Sequence, residues 1–235
     1  MMGYQTRGRA RIGVLVPFTN TNLEPDMMML CPPGVSLHFT RLGGYDEDEI
    51  PDAEQMAGLG AASLGEELRL LAGVKPDVVL YGCTSATLTH GVAFDRELAA
   101  KISALSGAQT VTAAGALVFA LQNLGVERIA FASPYVAQIN QQAIGFLAHA
   151  GFHTVSTAEV TETLDNTGQG AMTPEAVYEL GLRADSMEAE VLVLSCTDMR
   201  SVEVIAELEQ ALGKPVVTSN QAMMSQAVAL LGVEF

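Results

Sequence analysis

The chain has no tryptophan, three cysteines and few charged residues: of 235 residues 17% are charged, with 12 Lys or Arg against 27 Asp or Glu. Each shortage excludes something. A formal net charge of −15 excludes a nucleic-acid surface, which needs clustered Lys and Arg. The same field repels anions, so an anionic substrate must be held by local hydrogen-bond donors. Three widely spaced cysteines do not make a disulfide framework, and reduced thiols fit a cytoplasmic protein. No stretch approaches the roughly 18 consecutive apolar residues of a membrane span, so no membrane partner is expected. The polar, basic start from Met1 to Arg11 has no apolar run behind it for a signal peptide.

Sites for metals and common cofactors are also missing. There is no C-x₂-C pair, and neither His90 nor His153 stands at ligand spacing from a cysteine. His38 and His149 add no pattern. The stretch Gly58-Leu59-Gly60-Ala61-Ala62-Ser63 has Ser63 where a dinucleotide fingerprint needs its third glycine, and it lies inside a helical pattern. No P-loop and no G-x-S-x-G occurs. No metal and no cofactor is expected.

What is present is a repeated alternation of short apolar runs with amphipathic stretches. Strands are expected at Arg11–Pro17, Leu37–Leu42, Asp77–Gly82, Gln109–Thr112, Arg128–Ala132, Phe152–Ser156, Val191–Ser195 and Pro215–Thr218. Helices are expected at Asn20–Leu30, Asp52–Ala72, Phe94–Leu105, Ala113–Leu124, Tyr135–Ala150, Pro174–Glu188, Val202–Leu212 and Gln221–Leu231. Strands alternating with helices predict an α/β fold built of right-handed βαβ units on a parallel sheet.

The chain also repeats itself. Arg11-Ile12-Gly13-Val14 returns as Arg128-Ile129-Ala130-Phe131, and Asp77–Thr84 (DVVLYGCT) returns as Glu190–Thr197 (EVLVLSCT). The segment Thr110–Val126 resembles Val216–Val233. Two similar α/β halves follow: residues 1–112 with a returning C-terminal segment 216–235, and residues 113–215. No Pro-, Gly- or Ser-rich linker separates them. Helical faces rich in Ala and Met fit either the core or the surface of a homo-oligomer.

The repeat places Cys83 and Cys196 at equivalent points, each after a buried strand and before a helical stretch. In open parallel sheets ligands gather beyond the carboxyl ends of the strands, where both thiols would lie. Two readings stand side by side: small buried hydrophobes, or reactive thiols. A helix N-terminus is worth up to roughly 2 kcal/mol, enough to bring a thiol from about 8.5 to near 7. Cys31 has no counterpart and reads as structural. The turn Pro17-Phe18-Thr19-Asn20-Thr21-Asn22 suits either a carboxylate held by neutral donors or a plain N-cap cluster.

Taken together, Pro17-x-x-Asn20-Thr21, Gly82-Cys83-Thr84-Ser85, Ser133-Pro134-Tyr135, Asn166 and Ser195-Cys196-Thr197 resemble the aspartate/glutamate racemase superfamily. The most similar branch is that of the maleate cis–trans isomerases, with the arylmalonate decarboxylases as cousins. The resemblance spans nearly the whole chain. It implies two pseudo-symmetric Rossmann-like halves with the active site between them, and a cofactor-independent isomerase of a small carboxylate. It makes Cys83 the nucleophile that adds to the substrate double bond and Cys196 the acid/base on the opposite face. Asn20, Tyr135 and Asn166 would hold the carboxylates, with Thr84, Ser85 and Thr197 also at the substrate. The best-matching reaction is maleate to fumarate; a racemase or epimerase, as in ectoine catabolism, is the alternative. Decarboxylation fits less well, because such enzymes keep only the second-half cysteine, and a non-enzymatic binding module is the remaining rival. Two stretches depart from the isomerase pattern, Arg41-Leu42-Gly43-Gly44-Tyr45-Asp46 and Cys196-Thr197-Asp198-Met199-Arg200. In the latter, Arg200 is expected either at a carboxylate or, more simply, as a solvated charge.

Overall fold

A computed structural model describes residues 9–43 and 64–232, with 52, 54, 56 and 58 between them. The first half runs β1 (Ala10–Pro17), α1 (Leu23–Leu30), β2 (Val35–Leu42), α2 (Gly65–Ala72), β3 (Val78–Tyr81), α3 (Thr84–Leu88), α4 (Gly91–Ser106) and β4 (Gln109–Thr112). Helix α5 (Ala113–Leu124) leads into the second half. There β5 (Arg128–Ser133), α6 (Ala137–His149), β6 (His153–Glu159), α7 (Asn166–Gly170), α8 (Pro174–Ala184) and β7 (Val191–Leu194) follow. A short 3₁₀ turn, α9 (Ile205–Leu212), β8 (Val216–Thr218) and α10 (Ser219–Leu231) complete the chain.

The strands form two parallel four-stranded sheets of the same order, β2-β1-β3-β4 and β6-β5-β7-β8. The repeat read from the sequence therefore has a topological counterpart. Ile12–Leu15 pair with Val78–Tyr81, and Ile129–Ala132 pair with Val191–Leu194. The central strands β3 and β7 (VVLY and VLVL) are buried throughout. That is why they read as unbroken apolar runs: helices cover both faces of a parallel sheet.

The repeated Thr…Leu-Gly-Val pattern has a local cause. Thr112 and Thr218 each accept a backbone N–H with the side chain, from Gly115 and Gln221, and so open α5 and α10. Gly125 and Gly232 close the same helices at φ 67 and 60, a left-handed conformation that suits glycine. These two helices pack against each other across the halves, and α10 also lies on α1, β3 and β4.

Several expected elements change. The return to the first half, expected from residue 216, begins later: β8 is hydrogen-bonded to β7 in the second sheet, and only the helix after Thr218 crosses over. The ladder bonds of a buried strand must be made within its own sheet. The helix expected from Asn20 starts at Leu23, because the Asn20 side chain turns back to accept the N–H of Asn22 and Leu23. The helix expected to Glu188 stops at Ala184, where Asp185 is extended. Of the expected helix Asp52–Ala72, Gly65–Ala72 is helical, as are residues 54, 56 and 58, whereas Asp52 and Leu64 are not; the other positions, with most of the Gly58–Ser63 stretch and with Gly44-Tyr45-Asp46, lie outside the described residues. Among the described residues, no helix is long and apolar enough to cross a membrane.

Candidate active site

In each sheet the chain leaves the second strand of the order for one neighbour and later returns on its other side. The crevice at such a switch point opens beyond the carboxyl ends of the central strands. Here those ends carry Pro17 and Cys83 in the first half, Ser133 and Cys196 in the second. The halves bring both crevices onto one cavity of about 40 Å³, the space of a few waters. It is lined by Asn20, Cys83, Thr84 and Ser85 from one half and by Tyr135, Asn166, Cys196 and Thr197 from the other. Every site residue expected from the sequence thus lines the same cavity. Pro17 and Thr19, from the turn read as a donor cluster, line it too, as do Met56, Ile139, Gln169 and Asp198, to which the sequence reading gave no role. Of these, Gln169 had a legible signal: it stands one turn after Asn166 on α7, which Asp165 opens by accepting the N–H of Gly168.

The cavity is held by bonds between the halves. Asn20 donates from Nδ2 to Thr197 Oγ1 at 3.0 Å, and Thr197 Oγ1 donates to Gly82 O at 2.8 Å. Both uses of the Asn20 turn are therefore available, since its Oδ1 caps α1 and its amide faces the second half. Arg41 braces that turn from outside through Pro17 O and Asn20 O and pairs with Glu24. The Asp198 carboxylate accepts the N–H of Thr21 at 2.8 Å and of Asn22 at 3.1 Å. Thr84 donates to Ser219 Oγ at 3.1 Å, tying the Cys83 loop to α10. The Ser133-Pro134-Tyr135 turn is shaped by Asn140, which accepts from Ser133 Oγ and donates to Tyr135 O.

Gly82 is required where it stands. An added Cβ would come within 2.3 Å of Leu23 Cδ2 and 2.8 Å of Leu15 O, the backbone of β1. The close approach of the two strands leaves no room for a side chain before Cys83.

The thiols differ from expectation in two ways. Cys83 does precede a helix, the short α3, but Cys196 runs into a turn, and the next helical residues begin at Val202. Nor do the sulfurs ionise easily. Burial pushes Cys83 above the ordinary thiol value, opposed by the Ala86 N–H and the Ser85 hydroxyl. Burial pushes Cys196 up to about 12, helped by the Asp198 charge and opposed by the Asp198 N–H and the Tyr135 hydroxyl. Desolvation disfavours the charged form by more than one helix end restores. Burial and the two sulfurs likewise hold the Tyr135 hydroxyl well above its ordinary value, so it is a hydrogen-bond donor in the cavity. Cys196 itself lies 3.9 Å from Gln169 Oε1.

Other residues considered from the sequence lie elsewhere. Cys31 is half-buried beside Val35 O, and none of His38, His90, His149 or His153 lines the cavity. Arg200 pairs with Glu203 at the surface, the solvated reading. Among the described residues no group of three or more His, Cys, Asp or Glu is arranged to hold a metal ion.

Comparison with known proteins matches this arrangement. The chain is 30% identical over 227 residues to a maleate isomerase of Nocardia farcinica, covering 92% of this chain and 87% of that protein. It is 29% identical over 226 residues to the arylmalonate decarboxylase of Bordetella bronchiseptica, covering 93% and 86%. Among solved structures it resembles a cysteine-to-serine mutant of the Nocardia farcinica maleate cis–trans isomerase with a covalently bound succinylcysteine intermediate. The TM-score is 0.86 at 25% identity, covering 95% of this chain and 93% of that one. A family model described as arylmalonate decarboxylase matches residues 12–235. The chain belongs to the arylmalonate decarboxylase family, in the maleate isomerase branch of the aspartate/glutamate racemase superfamily.

Proposed function

We propose that the protein is a cofactor-independent cis–trans isomerase of a small unsaturated dicarboxylate, with maleate as the best-matching substrate. The observation that carries this reading is the pairing of Cys83 and Cys196, one from each half, in a single small cavity to which Asn20, Tyr135 and Asn166 bring neutral donors. The similarity to maleate isomerases, one of them with a succinylcysteine intermediate, supports it.

The chemistry follows from the residues. Cys83 gives up its proton to solvent before addition, and its sulfur, now a thiolate, forms a C–S bond to one alkene carbon. The π pair moves to the other alkene carbon and into its carboxylate. Asn20, Tyr135 and Asn166 offer donors for that growing oxyanion charge, where preorganised dipoles act most strongly. The Cys196 thiol passes its proton to the carbanionic carbon and leaves a saturated thioether, free to rotate about the former double bond. The Cys196 thiolate then takes back a proton from that carbon, the double bond reforms in the trans geometry, and the Cys83 thiolate departs. No atom or electron is gained or lost.

A second reading is racemisation or epimerisation at a carbon beside a carboxylate, with one thiol removing a proton and the other delivering one. The absence of Lys or Arg from the described lining of the cavity favours a less highly charged substrate than maleate. Proton NMR in deuterated buffer separates the two. The isomerase reading expects fumarate from maleate. It also expects no detectable turnover in Cys83→Ser, and a loss of about 10²–10⁴-fold in Cys196→Ser, the worth of a positioned acid. Full activity in either folded variant refutes the two-thiol mechanism. Inert maleate together with α-deuteration of an amino-acid enantiomer establishes the racemase reading instead.

A further inference from the structure

The repeat puts Ser85 and Asp198 at the same place, two residues beyond each cavity cysteine. There the halves differ in charge. We propose that this difference assigns the two thiols their separate tasks: Ser85 favours the thiolate at Cys83, and Asp198, latched beside Cys196, keeps that sulfur protonated as the acid. The inference deepens the two-thiol reading above and rests on it. Asp198 is here a positioning residue, acting on the substrate only through Cys196.

The geometry of the latch is specific. Asp198 Oδ1 accepts from Thr21 N at 2.8 Å, Asn22 N at 3.1 Å and Asn22 Nδ2 at 3.1 Å. Asn22 Nδ2 also donates to Asp198 O at 2.7 Å and to Gly170 O at 2.8 Å, so one amide ties three loops of the site. Behind the carboxylate stands Gly170, where a Cβ would lie 2.9 Å from Asp198 Oδ2. The carboxylate is thereby confined, and the N–H of the same residue reaches Cys196 Sγ at 3.4 Å. A negative charge fixed so near a thiol opposes its ionisation.

At the equivalent place the first half carries the uncharged Ser85. Ser85 Oγ lies 2.9 Å from Met56 Sδ and 3.7 Å from Cys83 Sγ. A thiolate is a far stronger acceptor than a thioether, so the hydroxyl turns to Cys83 once that sulfur is ionised. The directions of the shifts agree: Asp198 is the second cause after burial that raises Cys196, whereas Ser85 works against the rise at Cys83. Among the described residues, Tyr135 and Cys83 also act on Cys196. Asp198 acts in turn on Asp26 of α1, which also feels Glu203 and Arg200.

The test is site-resolved alkylation of the folded full chain by iodoacetamide between pH 7 and 9, read by peptide mass spectrometry without substrate. Asp198→Asn keeps a carbonyl oxygen for Thr21 and Asn22 but removes the charge. Each unit by which the Cys196 value falls raises its thiolate fraction tenfold. After the lower nucleophilicity of a less basic sulfur, the alkylation rate rises about three- to fourfold. Cys83 is expected to change far less, and Ser85→Ala is expected to slow Cys83 while leaving Cys196 alone. An unchanged Cys196 rate in folded Asp198→Asn overturns the proposal, as does an equal rise at both cysteines, the mark of a loosened cavity. Should Asp198→Asn not fold, an unchanged Cys83 rate in Ser85→Ala overturns it. Failure of the wild type to turn over maleate would refute the proposed substrate and leave these rates as they are.

Discussion

Asp26 on α1 is 2% exposed, and its Oδ2 accepts a hydrogen bond of 2.7 Å from Asn220 Nδ2 on α10. Burial raises its carboxyl from the ordinary 3.8 to about 7, Asn220 pulling against that rise. A group raised in the folded state binds a proton there that the unfolded chain does not hold between those two values. Its contribution to stability is complete below about 3.8 and is lost as pH rises through about 7. About three units at 1.36 kcal/mol each give a loss on the order of 4 kcal/mol. Asp26→Asn removes the titration and keeps the acceptor for Asn220 Nδ2. Its new amide also adds a donor beside Asn220, whose Oδ1 has no partner among the described residues. The variant is therefore expected to be more stable than the wild type at pH 8 by roughly 4 kcal/mol, or about 10 °C in Tm for a chain of this length. At pH 4 the two should nearly coincide. Asp198, raised to about 6, titrates in the same sense and persists in the variant. Asp95, also raised by burial, persists likewise. The decisive reading is thus the difference between the two proteins, which should go on widening from pH 6 to 7 as Asp26 loses its proton. Thermal melts followed by circular dichroism at half-unit steps measure this. An equal gain at pH 4 and pH 8, or a loss at pH 8, refutes the argument that desolvation of Asp26 dominates.

Two further outcomes follow from the site's geometry. Gly82→Ala drives a Cβ against Leu15 O, which as backbone cannot yield; we expect a loss of about 1–3 kcal/mol by chemical denaturation and a larger proportional fall in kcat, because Cys83 is the next residue. Unchanged kcat would show that the strand spacing does not position the thiol. Asn20→Asp keeps the cap on α1 and loses the amide donor, whereas Asn20→Ala loses both, at about 1 kcal/mol for the cap. Turnover should fall in both variants but Tm chiefly in the alanine one; retention of turnover by Asn20→Asp would reduce Asn20 to a capping residue.

Much of this architecture is legible in the order of the residues. A parallel sheet buried on both faces forces near-continuous apolar strands, so the runs around Ile12, Val78, Ile129 and Val191 could be read as strands without coordinates. The Cys-Thr pairs at their ends marked equivalent places in two halves. Parallel topology gathers such strand ends at one side of each sheet, and Asn20, Cys83, Tyr135, Asn166 and Cys196 accordingly line the same cavity. These features were readable because they depend on local periodicity and on chain order.

Other features depend on which distant residues become neighbours. Val216–Thr218 looks like any short strand, and only pairing with β7 places it in the second sheet. The helix read after Cys196 is a turn, its Asp198 carboxylate turned toward the Thr21 and Asn22 amides more than 170 residues earlier in the chain. The thiol values reversed the local argument: a helix end is a property of a few adjacent residues, whereas desolvation sums over everything that excludes water from Cys83 and Cys196. Composition and chain order determined the two halves, their strands and the positions of both sulfurs. Tertiary structure alone decided how deeply they are buried and which groups face them, because burial and through-space electrostatics arise only when the halves close on each other.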